Sequence, residues 1–252
     1  LMAGGLALFW GLAALAYRLS RPRGPWRVLV VAGCLACAGR TRGHVFTGFP
    51  WNLPGETWVA GGAVSQAAAV VGAYGLTWLT LAIAAAPALV FEPSPRRGRV
   101  IAVGAAALAL VGLYGAGAVR LGGAPDAAPD APRIRIVQAD IDQKDKWKPE
   151  NLDQIVDTYV ELSQRPGTVD IVVWPEGALP AVIDDLLAPG SPYVDRFVGA
   201  LAPGQTLLMG ANRAGLSPEG GVDYFNSLIA LRRGGEGLQV TGVYDQHRLV
   251  PF

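Results

Sequence analysis

The sequence is poor in charge, and its first half has no lysine and almost no acid. Only 16% of the 252 residues are Asp, Glu, Lys or Arg, whereas soluble chains average about 25%. Residues 1–120 contain ten arginines and two acids, for a net charge of +8, and residues 121–252 carry −7. This composition excludes a wholly soluble domain and a disordered chain, and the total of +1 lacks the basic footprint of a nucleic-acid-binding protein.

Cysteine and histidine are equally scarce, with two of each. Cys34 and Cys37 have the spacing of a redox or metal pair, but they lie in an apolar stretch without a second pair or a histidine partner. His44 and His247 are far apart in the sequence, and no glycine-rich phosphate loop follows a strand. We therefore expect no metal, no cofactor and no nucleotide.

Four stretches without charge, at 1–17, 28–39, 67–91 and 100–119, predict four transmembrane helices in residues 1–120. The helices are expected at about 1–18, 25–40, 67–91 and 99–120, close to the roughly 20 residues that cross the hydrocarbon core. Arginines fill the connections after the first and third stretches, and the positive-inside rule places these two loops in the cytoplasm. The start of the chain and everything after Arg120 are then expected outside.

The second half has the pattern of an α/β domain. Residues 121–132 are rich in Gly, Ala and Pro and predict a linker. After it, apolar strands alternate with helical spacing, and later strands follow one another directly. Strands are predicted at 133–137, 169–174, 206–210, 227–231 and 238–244, and helices at 149–164 and 193–201.

One glutamate has the setting of a catalytic group. Glu176 follows the predicted strand at 169–174 and stands between Pro175 and Gly177. Such a turn presents a carboxylate at the edge of a sheet, where it can act as a general base. A surface glutamate that caps a loop explains the same spacing, so both interpretations are open on spacing alone.

Five motifs, in the same order, resemble those of the apolipoprotein N-acyltransferases, bacterial membrane enzymes with an extracytoplasmic nitrilase-like domain. The motifs are TGFPWN at 47–52, VQADI at 137–141 with Lys146-Trp147, VWPE at 173–176, DYFNSL at 223–228 and YDQHRLVPF at 244–252. The resemblance covers nearly the whole chain. It implies a multi-span α-helical membrane domain followed by the N-terminal part of a nitrilase-like (CN hydrolase) domain, an α-β-β-α sandwich, at 133–252.

The resemblance also implies a Glu-Lys-Cys site. Its acyl chain passes from a membrane phospholipid to the cysteine, then to the diacylated N-terminal cysteine of a lipoprotein. Glu176 matches the general base. Trp147 matches an aromatic residue near the site that contacts acyl chain or peptide, with ordinary packing as the alternative. Asn226 matches a polar residue, with a hydrogen bond at the strand entry as the alternative. The implied location is the bacterial inner membrane, with the catalytic domain on the periplasmic side.

Two departures from the family pattern bear on activity. Gln246 stands where the family has its lysine, and an uncharged amide would weaken oxyanion stabilisation. Arg248 shares a strand face with it and is a candidate substitute; the other interpretations are a natural or engineered inactivating change and a sequence error. No cysteine follows Cys37, so we expect a fragment that lacks the nucleophile and does not turn over.

Two other functions stay open at this point. A non-catalytic relative would use the nitrilase-like domain only to bind lipid or lipoprotein, and Gln246 favours this alternative. A membrane-anchored amidase acting on a small amide would explain Glu176 but not the loop at 47–52. A channel or transporter is disfavoured, because no predicted span carries the kind of ionisable residue that transport pathways use.

Overall fold

The computed structural model describes residues 2–45, 48–93, 95–217, 220–235 and 237–247. The chain divides into two compact units, the first extending to Asp126 and the second beginning at Ala127. This division falls inside residues 121–132, which form the end of a helix and an irregular segment.

The first unit is helical. Its α-helices in the described residues are α1 (Met2–Ser20), α2 (Trp26–Arg42), α3 (Ala68–Ala85) and α4 (Arg96–Gly122). Within the described residues, three segments are long and apolar enough to cross a membrane: Met2–Ser20, Val64–Phe91, which is α3 with its flanking 3₁₀ turns, and Arg96–Gly122. These segments indicate a membrane protein. Helix α2 has only 17 residues and carries Arg40 and Arg42 in its last turn, so a fourth span stays a prediction.

Charged contacts tie the helices of the first unit together at one end. Arg27 of α2 pairs with Glu92, and its Nε donates to the Tyr17 hydroxyl of α1 over 3.1 Å. Arg99 of α4 donates from Nη1 to the carbonyl oxygens of Val90, at 2.8 Å, and Glu92, at 3.2 Å. The segment after α3 is thereby held by α2 and α4, and Arg27 links it further to α1.

A buried arginine organises the loop that follows α2. The Arg42 guanidinium donates to the Trp51 carbonyl oxygen and lies 5.5 Å from the Trp10 ring centroid. Trp51 in turn stacks on Phe49, with centroids 5.9 Å apart. Of the motif at 47–52, the structure describes residues 48–52, and Thr47 lies outside the described residues.

The second unit is a mixed five-stranded sheet in the order β1-β2-β3-β4-β5. The first three strands are parallel and the last two pairings are antiparallel. The strands are β1 (Ile134–Ile136), β2 (Ile171–Trp174), β3 (Thr206–Leu216), β4 (Val222–Gly234) and β5 (Gly237–Asp245). The crossovers contain α5 (Gln143–Lys146), α6 (Leu152–Gln164), α7 (Ile183–Leu186) and α8 (Pro192–Ala200). The predicted strands and helices of this half are confirmed, although β3 and β4 are much longer than predicted.

The core of the second unit lies on one face of this sheet, around Trp174. The side chain of Trp174 is fully buried at the end of β2, and its indole Nε1 donates to Ser163 Oγ of α6 over 2.9 Å. Its ring lies 4.9 Å from that of Tyr159 and 5.8 Å from that of Phe197, centroid to centroid. The same burial raises the pKa of Tyr159. Trp174 thus joins α6 and α8 to the end of β2.

The other face of the sheet is apolar and is left open by the described residues. Ile134 and Ile136 of β1 are 58% and 78% exposed, Leu228 of β4 is 45% exposed and Tyr244 of β5 is 58% exposed. The strand register and the alternation of side chains place all four on this face. An exposed apolar surface of this kind is typical of an interface with another part of a protein or with a partner.

A charged network on the helix side of the sheet holds its last three strands together. Asp245, the last residue of β5, accepts hydrogen bonds from Arg213 of β3 at 3.2 Å and 2.7 Å, and from Ser227 Oγ of β4 at 2.6 Å. The Arg213 guanidinium also lies 4.7 Å from the Phe225 ring centroid. The hydrogen bonds from Arg213 and then from Ser227 lower the pKa of Asp245.

Removal of the hydroxyl that pairs with Trp174 tests the core. Ser163→Ala leaves the buried indole N–H without its partner, which costs about 1–3 kcal/mol of unfolding free energy. Native-state hydrogen exchange of the β2 amides measures this loss. Ser163 Oγ also donates to the Tyr159 carbonyl oxygen, four residues earlier in its own helix. Thr158→Ala is the matched control, because Thr158 makes the equivalent hydrogen bond to the Gln154 carbonyl oxygen from an exposed position. Equal losses in the two variants would contradict the role assigned to Ser163.

The Asp245 network predicts a pH-dependent stability. A carboxyl with a lowered pKa in the folded chain stabilises the fold above its unfolded pKa, about 3.9 for Asp, and this contribution disappears as the pH falls through the folded pKa. Asp245→Asn should therefore lower the thermal midpoint at pH 7, and its difference from the parent should shrink below about pH 4. Circular dichroism of the sheet follows both transitions. Asp223→Asn, an exposed change on β4, should show no such pH-dependent difference.

Candidate active site

Glu176 lies on a turn that leaves the end of β2 and crosses the neighbouring strand. Trp174 is the last strand residue, and Gly177, with φ +56°, takes the left-handed conformation that lets the chain reverse after Glu176. Gly210 of β3 allows the close approach: a Cβ there would lie 2.5 Å from Glu176 Cα and 2.9 Å from the Pro175 carbonyl oxygen. The Glu176 side chain is exposed at the sheet edge, as the sequence predicts.

Asn226 joins Glu176 to Gln246. Its side-chain Nδ2 donates to Glu176 Oε1 and also to Gln246 Oε1, the latter over 2.8 Å. The three side chains come from the β2 turn, from β4 and from the residue after β5, which are separated by 50 and 20 positions in sequence. One amide group thus connects the predicted general base with the residue at the family's lysine position.

Strand register explains why these residues meet. Asn226 is paired with Asn212 across β3 and β4, and the Gln246 backbone N–H donates to the Asn226 carbonyl oxygen over 2.9 Å. This bond continues the β4–β5 pairing one residue past the end of β5. Asn226 therefore lies on the same face as Leu228, and Gln246 follows Tyr244 by two residues. The cluster of Glu176, Asn226 and Gln246 lies at the edge of the open apolar face.

A lysine lies beside the Glu176 turn. Lys146 is the last residue of α5, and its Nζ is 3.6 Å from the position that a Cβ on Gly177 would occupy. The same Nζ lies 5.9 Å from the centroid of the Trp147 ring, and Trp147 itself is 55% exposed. Lys146 thus places a positive charge near the turn and connects Trp147 to it.

This arrangement combines a proton acceptor, an amide relay and a nearby cation. A carboxylate that is held at a strand end by a neighbouring amide can remove a proton from a nucleophile, and an ammonium group can stabilise a developing oxyanion. The sequence predicted Glu176, Gln246 and Asn226 as site residues, and the structure brings these three together. Trp147 does not contact these three side chains; it lies beside Lys146, whose Nζ is close to Gly177 in the Glu176 turn.

Sequence reasoning missed three parts of this arrangement. The bridging position of Asn226 depends on long-range register, which no local motif shows. Lys146 belongs to the same motif as Trp147, but the sequence did not predict it as a site residue. Gly210 carries a local signal, because a glycine inside a strand pattern indicates a close backbone approach. Arg248, the candidate substitute cation, and the Leu-Val-Pro-Phe run at 249–252 lie outside the described residues.

Comparisons with known proteins agree with the family resemblance. A family model described as the apolipoprotein N-acyltransferase N-terminal domain matches residues 1–86. An apolipoprotein N-acyltransferase of Caulobacter vibrioides is 55% identical over 258 aligned residues, which cover 100% of this chain and 47% of the relative. The enzymes of Rhizobium rhizogenes and Allorhizobium ampelinum are 35% and 32% identical, each over 98% of this chain and 46% of the relative.

The chain spans about half the length of the curated relatives that it matches. Within that half, the similarity runs through both units, from the helices of the first to the sheet that carries Glu176. Over its whole length the chain is similar to apolipoprotein N-acyltransferases, and its first 86 residues match the model of their N-terminal domain.

Proposed function

We propose that this chain supplies the general base of an apolipoprotein N-acyltransferase. The reaction would move an acyl chain from a membrane phospholipid to the N-terminal diacylglyceryl-cysteine of a lipoprotein. The observation that carries the proposal is the hydrogen-bonded cluster of Glu176, Asn226 and Gln246, in a chain similar along its whole length to proteins named for this activity.

In the proposed first step, Glu176 accepts the proton of a cysteine thiol. The thiolate attacks the ester carbonyl carbon of the phospholipid, a thioester forms, and the lysophospholipid leaves as the alcohol after taking up that proton. In the second step, the α-amino group of the lipoprotein attacks the thioester, and the thiol is regenerated. Residues 121–252 contain no cysteine, so the nucleophile would come from the part of the relatives' length that this chain does not span.

Asn226 has a positioning role in this proposal. Its Nδ2 contacts one oxygen of the Glu176 carboxylate, and this fixes the direction in which the other oxygen faces. The hydrogen bond to Gln246 Oε1 keeps the Asn226 amide in that orientation. Lys146 provides a positive charge beside the turn, at a site where Gln246 brings none.

The open apolar face of the sheet supports the proposed α-β-β-α sandwich. In such a sandwich, a second sheet packs on the face that α6 and α8 do not cover. Ile134, Ile136, Leu228 and Tyr244 are exposed there, as expected when the covering layer belongs to another part of the protein. The cluster around Glu176 would then lie at the margin between the two sheets.

The proposed location is the bacterial inner membrane, with the second unit on the periplasmic side. The support is the distribution of arginine: four lie at positions 18–27 and three at 96–99, in the connections that the positive-inside rule assigns to the cytoplasm. The acidic half would then lie in the periplasm, where lipoprotein N-termini and the phospholipids of the outer leaflet are accessible.

A second function is favoured by one observation, the glutamine at position 246. A non-catalytic relative would keep the cluster as a binding surface for lipid or lipoprotein and would dispense with the cation. The acyl-transfer function predicts that substitutions at the site change the transfer rate, whereas the binding function predicts no transfer in any variant. The variants are assayed in the full-length form of the protein.

Glu176→Gln tests the general base. The variant should lose about 10²- to 10⁴-fold in the rate of acyl transfer, because an amide cannot accept the thiol proton. The measurement is the mass gain of a diacylated lipopeptide incubated with phosphatidylethanolamine and the detergent-solubilised protein. Glu161→Gln, an exposed change on α6, is the control and should leave the rate unchanged. Full activity of Glu176→Gln would contradict the assigned role.

The cation is tested by changes at positions 146 and 246, alone and together. Gln246→Lys should raise the transfer rate, and Lys146→Ala should lower it by about tenfold, the scale of one charge-assisted contact. If both positions supply the same positive charge, Lys146→Ala should cost much less in the Gln246→Lys background than in the parent. Lys144→Ala, on the same helix, is the control. Zero activity in every form, with lipopeptide binding retained, would favour the non-catalytic function.

A further inference from the structure

A cavity of about 450 Å³ lies among α2, α3 and α4 of the first unit. Its volume is within the range of small-molecule sites in proteins. One wall consists of small side chains, among them Ala82 of α3 and Ala102, Ala105 and Ala109 of α4. The tryptophans Trp26 and Trp78 stand at its margin, 70% and 36% exposed.

No charged side chain of the described residues lines this cavity. A polar or ionic ligand would lose its hydration there without compensation, so the walls suit a hydrocarbon chain. In a bilayer, however, lipid tails already have apolar surroundings, and an apolar groove alone does not select one lipid from another. Any selectivity has to come from the end of the cavity, where a headgroup would lie.

Positive charge is concentrated at that end. Gly98 and Pro25 line the cavity beside the first turn of α4, and Arg97 precedes Ile101 and Ala105 at intervals of four residues. Residues four apart share one helix face, so Arg97 lies one turn beyond the lining residues on the same side of α4. The α4 N-terminus adds the positive end of the helix dipole, although the Gly98 and Arg99 N–H groups already donate to the Pro95 carbonyl oxygen.

Two nearby arginines are engaged within the protein, whereas Arg96 and Arg97 are not engaged by any described residue, and of these two Arg97 shares the helix face of the lining residues. Arg27 pairs with Glu92, and Arg99 donates to the Val90 and Glu92 carbonyl oxygens. Arg97 is exposed and makes no hydrogen bond or ion pair with the described residues. Its guanidinium is therefore available to an external anion at the mouth of an apolar cavity.

We propose that this cavity binds one anionic phospholipid, with an acyl chain between α2, α3 and α4 and the phosphate at Arg97. Basic residues at the membrane surface attract anionic lipids, and basic pockets between transmembrane helices bind their headgroups. The exposed Trp26 fits the interfacial level at which a headgroup meets the acyl region. This lipid would be a bound structural lipid, independent of the proposed acyl-transfer reaction.

Native mass spectrometry of the purified full-length protein tests the proposal directly. The protein is exposed to equal amounts of phosphatidylglycerol and phosphatidylethanolamine with identical acyl chains, and the retained lipid is identified by mass. We expect one phosphatidylglycerol to be retained in preference. Equal retention of the two lipids would overturn the proposal, and so would retention of neither, which would point to a protein segment as the natural occupant.

Two pairs of variants locate the lipid. Arg97→Gln should weaken phosphatidylglycerol retention about tenfold, the scale of a hydrogen bond to a charged group, whereas Arg120→Gln at the other end of α4 should not. Ala105→Phe fills the cavity and should abolish retention, whereas Ala107→Phe adds the same bulk at an exposed position outside the lining. Helix content by circular dichroism confirms that each variant is folded. Equal effects within either pair would overturn the assignment.

Discussion

The buried indole of Trp174 is the contact on which the second unit depends. Its N–H bond to Ser163 and its ring contacts with Tyr159 and Phe197 fix the end of β2 between two helices. Because Pro175 and Glu176 follow at once, the position of the carboxylate is set by this core contact and not by the loop itself. A site residue carried by such a rigid strand end is held more precisely than one on a free loop.

Much of this architecture could be predicted from the sequence, because local signals dominate it. The apolar run before Pro175 predicts β2 and the exposed Glu176 beyond it, and both are confirmed. The sequence did not predict the second half of β3, residues 211–216, or the first part of β4, residues 222–226. Asn212, Arg213 and Gly215 break the apolar alternation that marks a buried strand. Those residues form strands because the two chain segments pair with each other beyond the core, a tertiary effect that a single segment does not encode.

The candidate site was likewise predictable only in part from the sequence. Glu176 and the replacement of lysine by Gln246 are visible as single positions in motifs. The bridge through Asn226 is a property of register: shifting β4 by one residue would turn its side chain to the helix side of the sheet. The Asp245 network lies on that opposite side and bonds to Ser227, the neighbour of Asn226, so a contact among charged residues fixes the register in which the amide bridge forms.

Gly210 gives this design an evolutionary consequence. Every other residue type would place a Cβ atom against the Glu176 backbone. Any amino-acid substitution of Gly210 would therefore move the carboxylate, even though residue 210 takes no part in the reaction. Tolerance to substitution along β3 is thus unequal: Leu216, which is exposed at the end of the strand, can vary, while Gly210 can change only if the whole Glu176 turn is rebuilt with it.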